Sequence, residues 1–103
     1  MAPRLGRSVV NNSLACAVWP VPTQTPPVPR AAGAAPILVV GNTDDPATPL
    51  AWSQGVSREL QSGVLLTVRS AQHTAYGSGN SCVDALVNRY LVDRVAPAPG
   101  TRC

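Results

Sequence analysis

The sequence predicts an α/β fold built on a parallel sheet, and three observations carry that prediction. An apolar run, Pro36-Ile37-Leu38-Val39-Val40, ends at a glycine. A second run, Val64-Leu65-Leu66-Thr67-Val68, follows a segment with helical spacing. Both runs are apolar at nearly every position, the pattern of strands covered on both faces. The strand–helix–strand unit, about 33 residues long, is then a parallel crossover of the right-handed kind.

Before the first strand, residues 1–35 read as an irregular N-terminal segment and connector. Five of the chain's eleven prolines, Pro20, Pro22, Pro26, Pro27 and Pro29, fall within ten residues. A fixed φ and a missing N–H at each of them exclude a regular element there. Residues 36–103 form the domain proper. Its first helix is expected to start with Thr48 as N-cap and Pro49 at N1, where a missing donor costs nothing. Trp52, Val56 and Leu60 then recur at i, i+4, i+8, and Gly63 supplies a C-terminal stop. The 64–68 strand follows. Gln72 to Ser81 is a loop rich in glycine, serine and asparagine. Val83, Leu86, Val87, Tyr90 and Leu91 give the chain's strongest helical period, capped by Asn80 or Ser81, with Asp84 in the first turn and Pro97 and Pro99 closing it. Two strands covered on both faces do not make a sheet that stands alone, so this pattern reads as the edge of a larger one.

Composition excludes several classes of function. All eight basic residues are arginine, scattered from Arg4 to Arg102 around a net charge of +3. A nucleic-acid face needs a clustered basic stripe, so no nucleic-acid partner is expected. No apolar run approaches the ~18 residues of a membrane span. Val9-Val10 leads directly into Asn11-Asn12-Ser13, so no signal-peptide core is present and the chain is expected to be cytoplasmic as encoded unless truncated. The three cysteines, Cys16, Cys82 and Cys103, have no zinc-type spacing, and neither a metal nor another cofactor is expected. A Cys82–Cys103 bridge would close a loop of about 22 residues and mark an oxidising compartment; two free thiols are the cytosolic alternative. Nothing in the sequence fixes an oligomeric state.

The chemistry concentrates at the ends of the two strands. The first feeds Gly41-Asn42-Thr43-Asp44-Asp45-Pro46-Ala47-Thr48-Pro49, and the second feeds Arg69-Ser70-Ala71-Gln72-His73, which holds the only histidine. An open α/β sheet delivers its functional side chains at the carboxyl ends of its strands. Neighbouring strands lie about 4.8 Å apart, so the two tips can meet. Asp45 is pinned by the Pro-x-Thr-Pro that follows it, whereas Asp44 points the other way in an extended chain. An acid bonded to a histidine fixes its tautomer and stabilises the imidazolium formed when it takes a proton from a nucleophile. Acid before histidine is the second half of the Ser…Asp…His order of α/β-hydrolases. The serine is missing: Gly6-Arg7-Ser8-Val9-Val10 and Gly79-Asn80-Ser81-Cys82-Val83 both lack the second glycine of Gly-x-Ser-x-Gly. Cys16, in the connector, has nothing nearby to activate it as a nucleophile.

Four segments together, Cys16-Ala-Val-Trp19-Pro20, Asp45-Pro-Ala-Thr-Pro, His73-Thr-Ala-Tyr-Gly-Ser-Gly-Asn-Ser-Cys82-Val-Asp and Ala98-Pro-Gly-Thr-Arg-Cys103, resemble the C-terminal domain of tripeptidyl-aminopeptidase-like (TAP-like) α/β-hydrolases, secreted serine peptidases of actinobacteria. The likeness runs from about residue 14 to the end. It implies a C-terminal fragment of an α/β-hydrolase fold, with two parallel strands, a crossover helix and a C-terminal helix. Asp45 would be the triad acid and His73 the general base. Serine and oxyanion hole would lie upstream, so a peptide substrate is expected only when that part is supplied. Gln72 stands where the family has glycine, putting a side chain beside the histidine. Cys82 and Cys103 would form the terminal disulfide, with the family's partner for Cys16 absent, leaving it unpaired. The reach agrees: a helix of about twelve residues spans roughly 18 Å, and a ten-residue tail from Arg94 extends up to about 33–36 Å, enough to fold back to the helix start. The rival readings are a non-catalytic remnant and a small disulfide-stapled binding module.

Overall fold

The structure, a computed structural model, describes residues 14–15, 17–21, 24–25 and 27–103. Cys16, and with it the expectation that it stays unpaired, lies outside the described residues. Four elements follow in order: strand β1 (Ile37–Asn42), helix α1 (Leu50–Glu59), strand β2 (Gly63–Val68) and helix α2 (Ser81–Asp93). β1 and β2 pair in parallel, with Ile37 opposite Gly63, Val40 opposite Leu66 and Asn42 opposite Val68. β1 therefore continues past the apolar run through Gly41 to Asn42.

Side chains alternate across a strand, so the register sorts the residues onto two faces. Leu38, Val40, Asn42, Val64, Leu66 and Val68 share one face. There Leu66 and Val68 join Val83 and Val87 of α2 and Ala75 of the connecting loop in the core, with Leu38, Leu86 and Cys103 packed against it. Gly41 and Gly63 lie on the opposite face, under α1. A Cβ on Gly41 would stand 2.8 Å from Leu50 Cδ1, and one on Gly63 would collide with the Ser57 backbone carbonyl. Bare backbone at both positions is what lets the helix lie this close.

Three details of α1 differ from expectation. Its N-cap is Pro49, without a side-chain cap, because the Thr48 hydroxyl is committed to Asp45. The helix stops at Glu59, where the Leu60 N–H bonds the Val56 carbonyl, and Gly63 instead opens β2 as a packing residue. The stripe begun by Trp52 and Val56 is exposed, since α1 approaches the sheet through its small residues. α2 follows its prediction more closely: the Asn80 side chain accepts from the Cys82 and Val83 amides, and Val83 and Val87 are its buried positions.

The two edges of the sheet differ. The chain end returns to β2, where Thr67 N–H donates to Thr101 O at 3.2 Å and Cys103 N–H donates to Thr67 O at 2.9 Å. Cys103 then closes a disulfide with Cys82 at the start of α2, with the Cα atoms 5.8 Å apart. Among the described residues β1 pairs with β2 alone, and its outer edge carries no strand. The segment before β1 is tied to the other end of the unit: Gln61 N–H donates to Arg30 O, Ser62 Oγ–H to the Ala34 and Ala35 carbonyls, and Tyr90 O–H to Pro36 O. No described helix is long and apolar enough to cross a membrane.

Candidate active site

The parallel ladder continues beyond the strands. Thr43 N–H donates to Val68 O at 2.9 Å and Asp44 N–H to Ser70 O at 3.0 Å. This stitching runs the 43–49 and 69–75 segments side by side and brings Asp45 to His73 across 28 residues of sequence. His73 Nδ1 lies 3.0 Å from Asp45 Oδ2 and 3.2 Å from Oδ1. A carboxylate only accepts, so the bond requires the proton on Nδ1 and leaves Nε2 unprotonated in the neutral ring. Among the described residues Nε2 has no hydrogen-bond partner.

The acid sits in a cradle made by its own turn. Asp45 Oδ1 accepts the Ala47 and Thr48 amides at 2.8 and 2.9 Å, and Oδ2 accepts the Thr48 hydroxyl at 2.7 Å. Asp folds its side chain back onto downstream amides readily, and Pro46 and Pro49 restrict the backbone around it. The Thr48 amide foremost, with the Thr48 hydroxyl, the Ala47 amide and the His73 ring, holds the Asp45 carboxyl well below the ordinary carboxylate range, against an opposing desolvation effect. The carboxylate is thus fixed in position and in charge. Thr48 Oγ also stands 3.5 Å from His73 Nδ1, at the limit of a hydrogen bond, so its role is to hold the acid. Asp44 turns away, its Oδ2 accepting the Thr43 hydroxyl at 2.7 Å.

His73 is open where Asp45 is covered. The Asp45 side chain is 4% exposed and that of His73 58%. The loop carrying His73 is anchored on its far side: Ala75 is buried in the core, Tyr76 O–H donates to Asn88 Oδ1 at 2.7 Å, and Gly77 N–H donates to Asp84 Oδ1 at 2.8 Å. Gly77 and Gly79 take φ of 73° and 91°, the left-handed region open to glycine. On its near side the loop is held by Asn42, whose Nδ2–H donates to Gln72 O at 2.7 Å. Gln72 itself is exposed. The Cys82–Cys103 bridge stands at the end of the same loop, at the start of α2.

Sequence reading singled out Asp45, His73, Cys82 and Cys103, and the structure brings the first two together at one site and the last two together in a bridge. It missed Thr48 and Asn42 as parts of the site. The signal for Thr48 was the Asp-Pro-x-Thr spacing, which places the hydroxyl three residues from the acid. Among the described residues no group of three or more His, Cys, Asp or Glu side chains gathers to hold a metal ion.

With this geometry in hand, comparison with known proteins gives a consistent answer. The family described as TAP-like protein matches residues 2–103. The chain is 46% identical over 90 residues to carboxylesterase B of Mycobacterium tuberculosis, covering 85% of this chain and 17% of that protein. It is 42% identical over 89 residues to the serine protease Hip1 of the same organism, again covering 85% and 17%. It is 33% identical over 93 residues to the tripeptidyl aminopeptidase of Streptomyces lividans, covering 88% and 17%. The chain therefore spans 17% of the length of these relatives. Its two parallel strands and two helices are a C-terminal part of an α/β-hydrolase fold, and the chain belongs to the TAP-like family of hydrolases.

Proposed function

We propose that residues 36–103 supply the acid and base of a serine peptidase active site, with residues 1–35 as the connector leading to them. The observation that carries this reading is the 3.0 Å approach of His73 Nδ1 to Asp45 Oδ2 at the carboxyl ends of two adjacent parallel strands. In this role His73 Nε2 takes the proton of a serine hydroxyl as it attacks the scissile carbonyl and returns it to the leaving amine. Asp45 holds the ring in the productive tautomer and stabilises the imidazolium, its own proton affinity lowered by the Thr48 and Ala47 amides. The serine and the oxyanion donors would come from polypeptide outside these 103 residues, which hold no Gly-x-Ser-x-Gly. Names of relatives that include a serine protease and a tripeptidyl aminopeptidase support a peptide substrate. Alone, the chain is expected not to hydrolyse esters or peptides, because acid and base without nucleophile and oxyanion hole retain almost none of the acyl-transfer machinery.

The deciding experiment is a chimera in which this chain replaces the corresponding segment of the Streptomyces lividans tripeptidyl aminopeptidase, assayed with chromogenic aminoacyl and peptidyl substrates. The chimera is expected to turn over, and Asp45→Asn and His73→Ala are each expected to lower kcat by about 10³-fold or more. Turnover that survives His73→Ala would overturn the assignment. A folded but inactive chimera would favour a non-catalytic remnant.

A further inference from the structure

Asn42, the last residue of β1, makes a contact that neither the strand nor the acid–base pair explains. It is 4% exposed, the one polar residue buried as a whole among the described residues, and lies on the core face opposite Val68. Its Nδ2–H donates to the carbonyl of Gln72, the residue immediately before His73. Its Oδ1 is buried and accepts no hydrogen bond among the described residues. A buried amide with an unmet acceptor is a poor choice for stability, since an apolar side chain of the same shape would remove the orphan. The donor end points to what the residue does.

The backbone bonds between the two loops end at Asp44–Ser70. The Asn42 amide carries the stitching two residues further along the second loop, to the peptide next to the base. Asn42 is also only three residues upstream of Asp45, so one short stretch of β1 sets the position of both the carboxylate and the histidine backbone. The ring itself is more than half exposed and has little packing to hold it. We propose that Asn42 is a positioning residue for His73, fixing the Gln72–His73 peptide so that Nδ1–H meets the Asp45 carboxylate. The inference rests on the reading of Asp45 and His73 as the acid–base pair.

The test reads the His73 imidazole of the full 103-residue chain by long-range ¹H–¹⁵N NMR at a pH where the ring is neutral, comparing wild type, Asp45→Asn and Asn42→Leu. The wild-type ring is expected to be mainly the Nδ1–H tautomer, and Asp45→Asn to lose that preference. Asn42→Leu is expected to shift the tautomer ratio toward Nε2–H by at least threefold, with the cooperative thermal transition retained. A ratio changed by Asp45→Asn but not by Asn42→Leu would remove the role of Asn42 and leave the pair standing. A ratio changed by neither would remove both. Should Asn42→Leu fail to fold, wild type decides: the Asn42 side-chain amide is expected to exchange with D₂O at least tenfold more slowly than that of exposed Asn88, and equal rates would overturn the proposal.

Discussion

Asp45 gathers its stabilising contacts from its own turn, and this gives the molecule a defined acid sensitivity. The Thr48 amide, then the Thr48 hydroxyl, the Ala47 amide and the His73 ring lower its folded pKa below the unfolded value. A depressed carboxylate binds fewer protons in the folded state, so its contribution to stability is complete above the unfolded pKa and is lost as pH falls toward the folded one. Wild type is thus expected to hold its full advantage over Asp45→Asn in urea midpoint at about pH 4. The gap should close as pH falls further, and a gap that widens below about pH 4 would contradict the sign. The meeting of Asp45 and His73 was legible in the sequence because each follows an apolar run in a polar turn. Thr48 was not, because a threonine before proline carries the same signature whether it caps the following helix or bonds the preceding acid, and only the fold decides which acceptor it reaches. Asn42 was hidden for a related reason: Gly-Asn before Thr-Asp reads as turn chemistry, and a partner 30 residues away leaves no local trace.

At the scale of elements, period and composition gave strand, helix, strand and helix in the right order, and boundaries failed where backbone packing decided them. Gly63 shows why. Next to a helical pattern it reads as a C-terminal stop, but in the fold it is the first residue of β2, chosen for the closeness of the Ser57 carbonyl. Backbone cannot rotate away as a flexible side chain can, so Gly63→Ala must push α1 from the sheet. We expect it to cost about 1–3 kcal/mol in chemical denaturation, the range of overpacked sites. Gly55, on the same helix, has nothing within 4 Å of a Cβ, so Gly55→Ala serves as the control and is expected to be neutral or stabilising. Equal effects at the two positions would refute the packing argument. The exposed Trp52–Val56 stripe belongs to the same lesson: helical period identifies an apolar face, but not what covers it.

For the whole molecule, two features pull in opposite directions. The Cys82–Cys103 bridge joins the start of α2 to the tail that pairs with β2, closing a loop across 21 positions of sequence. Its loss in the Cys82→Ser/Cys103→Ser double variant is expected to cost about 3 kcal/mol in denaturant unfolding under oxidising conditions. A cost near zero would mean that the tail is held by its backbone bonds alone. Against this staple stands a large apolar surface among the described residues: Val18, Trp19, Val21 and Val28 before β1, and Trp52, Val56, Leu91 and Val92 on α1 and α2, are exposed. Among the same residues the outer edge of β1 carries no strand, and its backbone groups are suited to a further one. Apolar side chains and an open edge gathered on one small unit mark surface that a neighbouring layer would cover. The isolated chain is therefore expected to enhance the fluorescence of an apolar dye while keeping its near-ultraviolet dichroism and cooperative melting, which separates this behaviour from that of a molten globule. It is also expected to self-associate with concentration in sedimentation, since the β1 edge of one copy offers pairing to the next. A chain that binds no dye and sediments as a monomer throughout would instead be a self-sufficient stapled module.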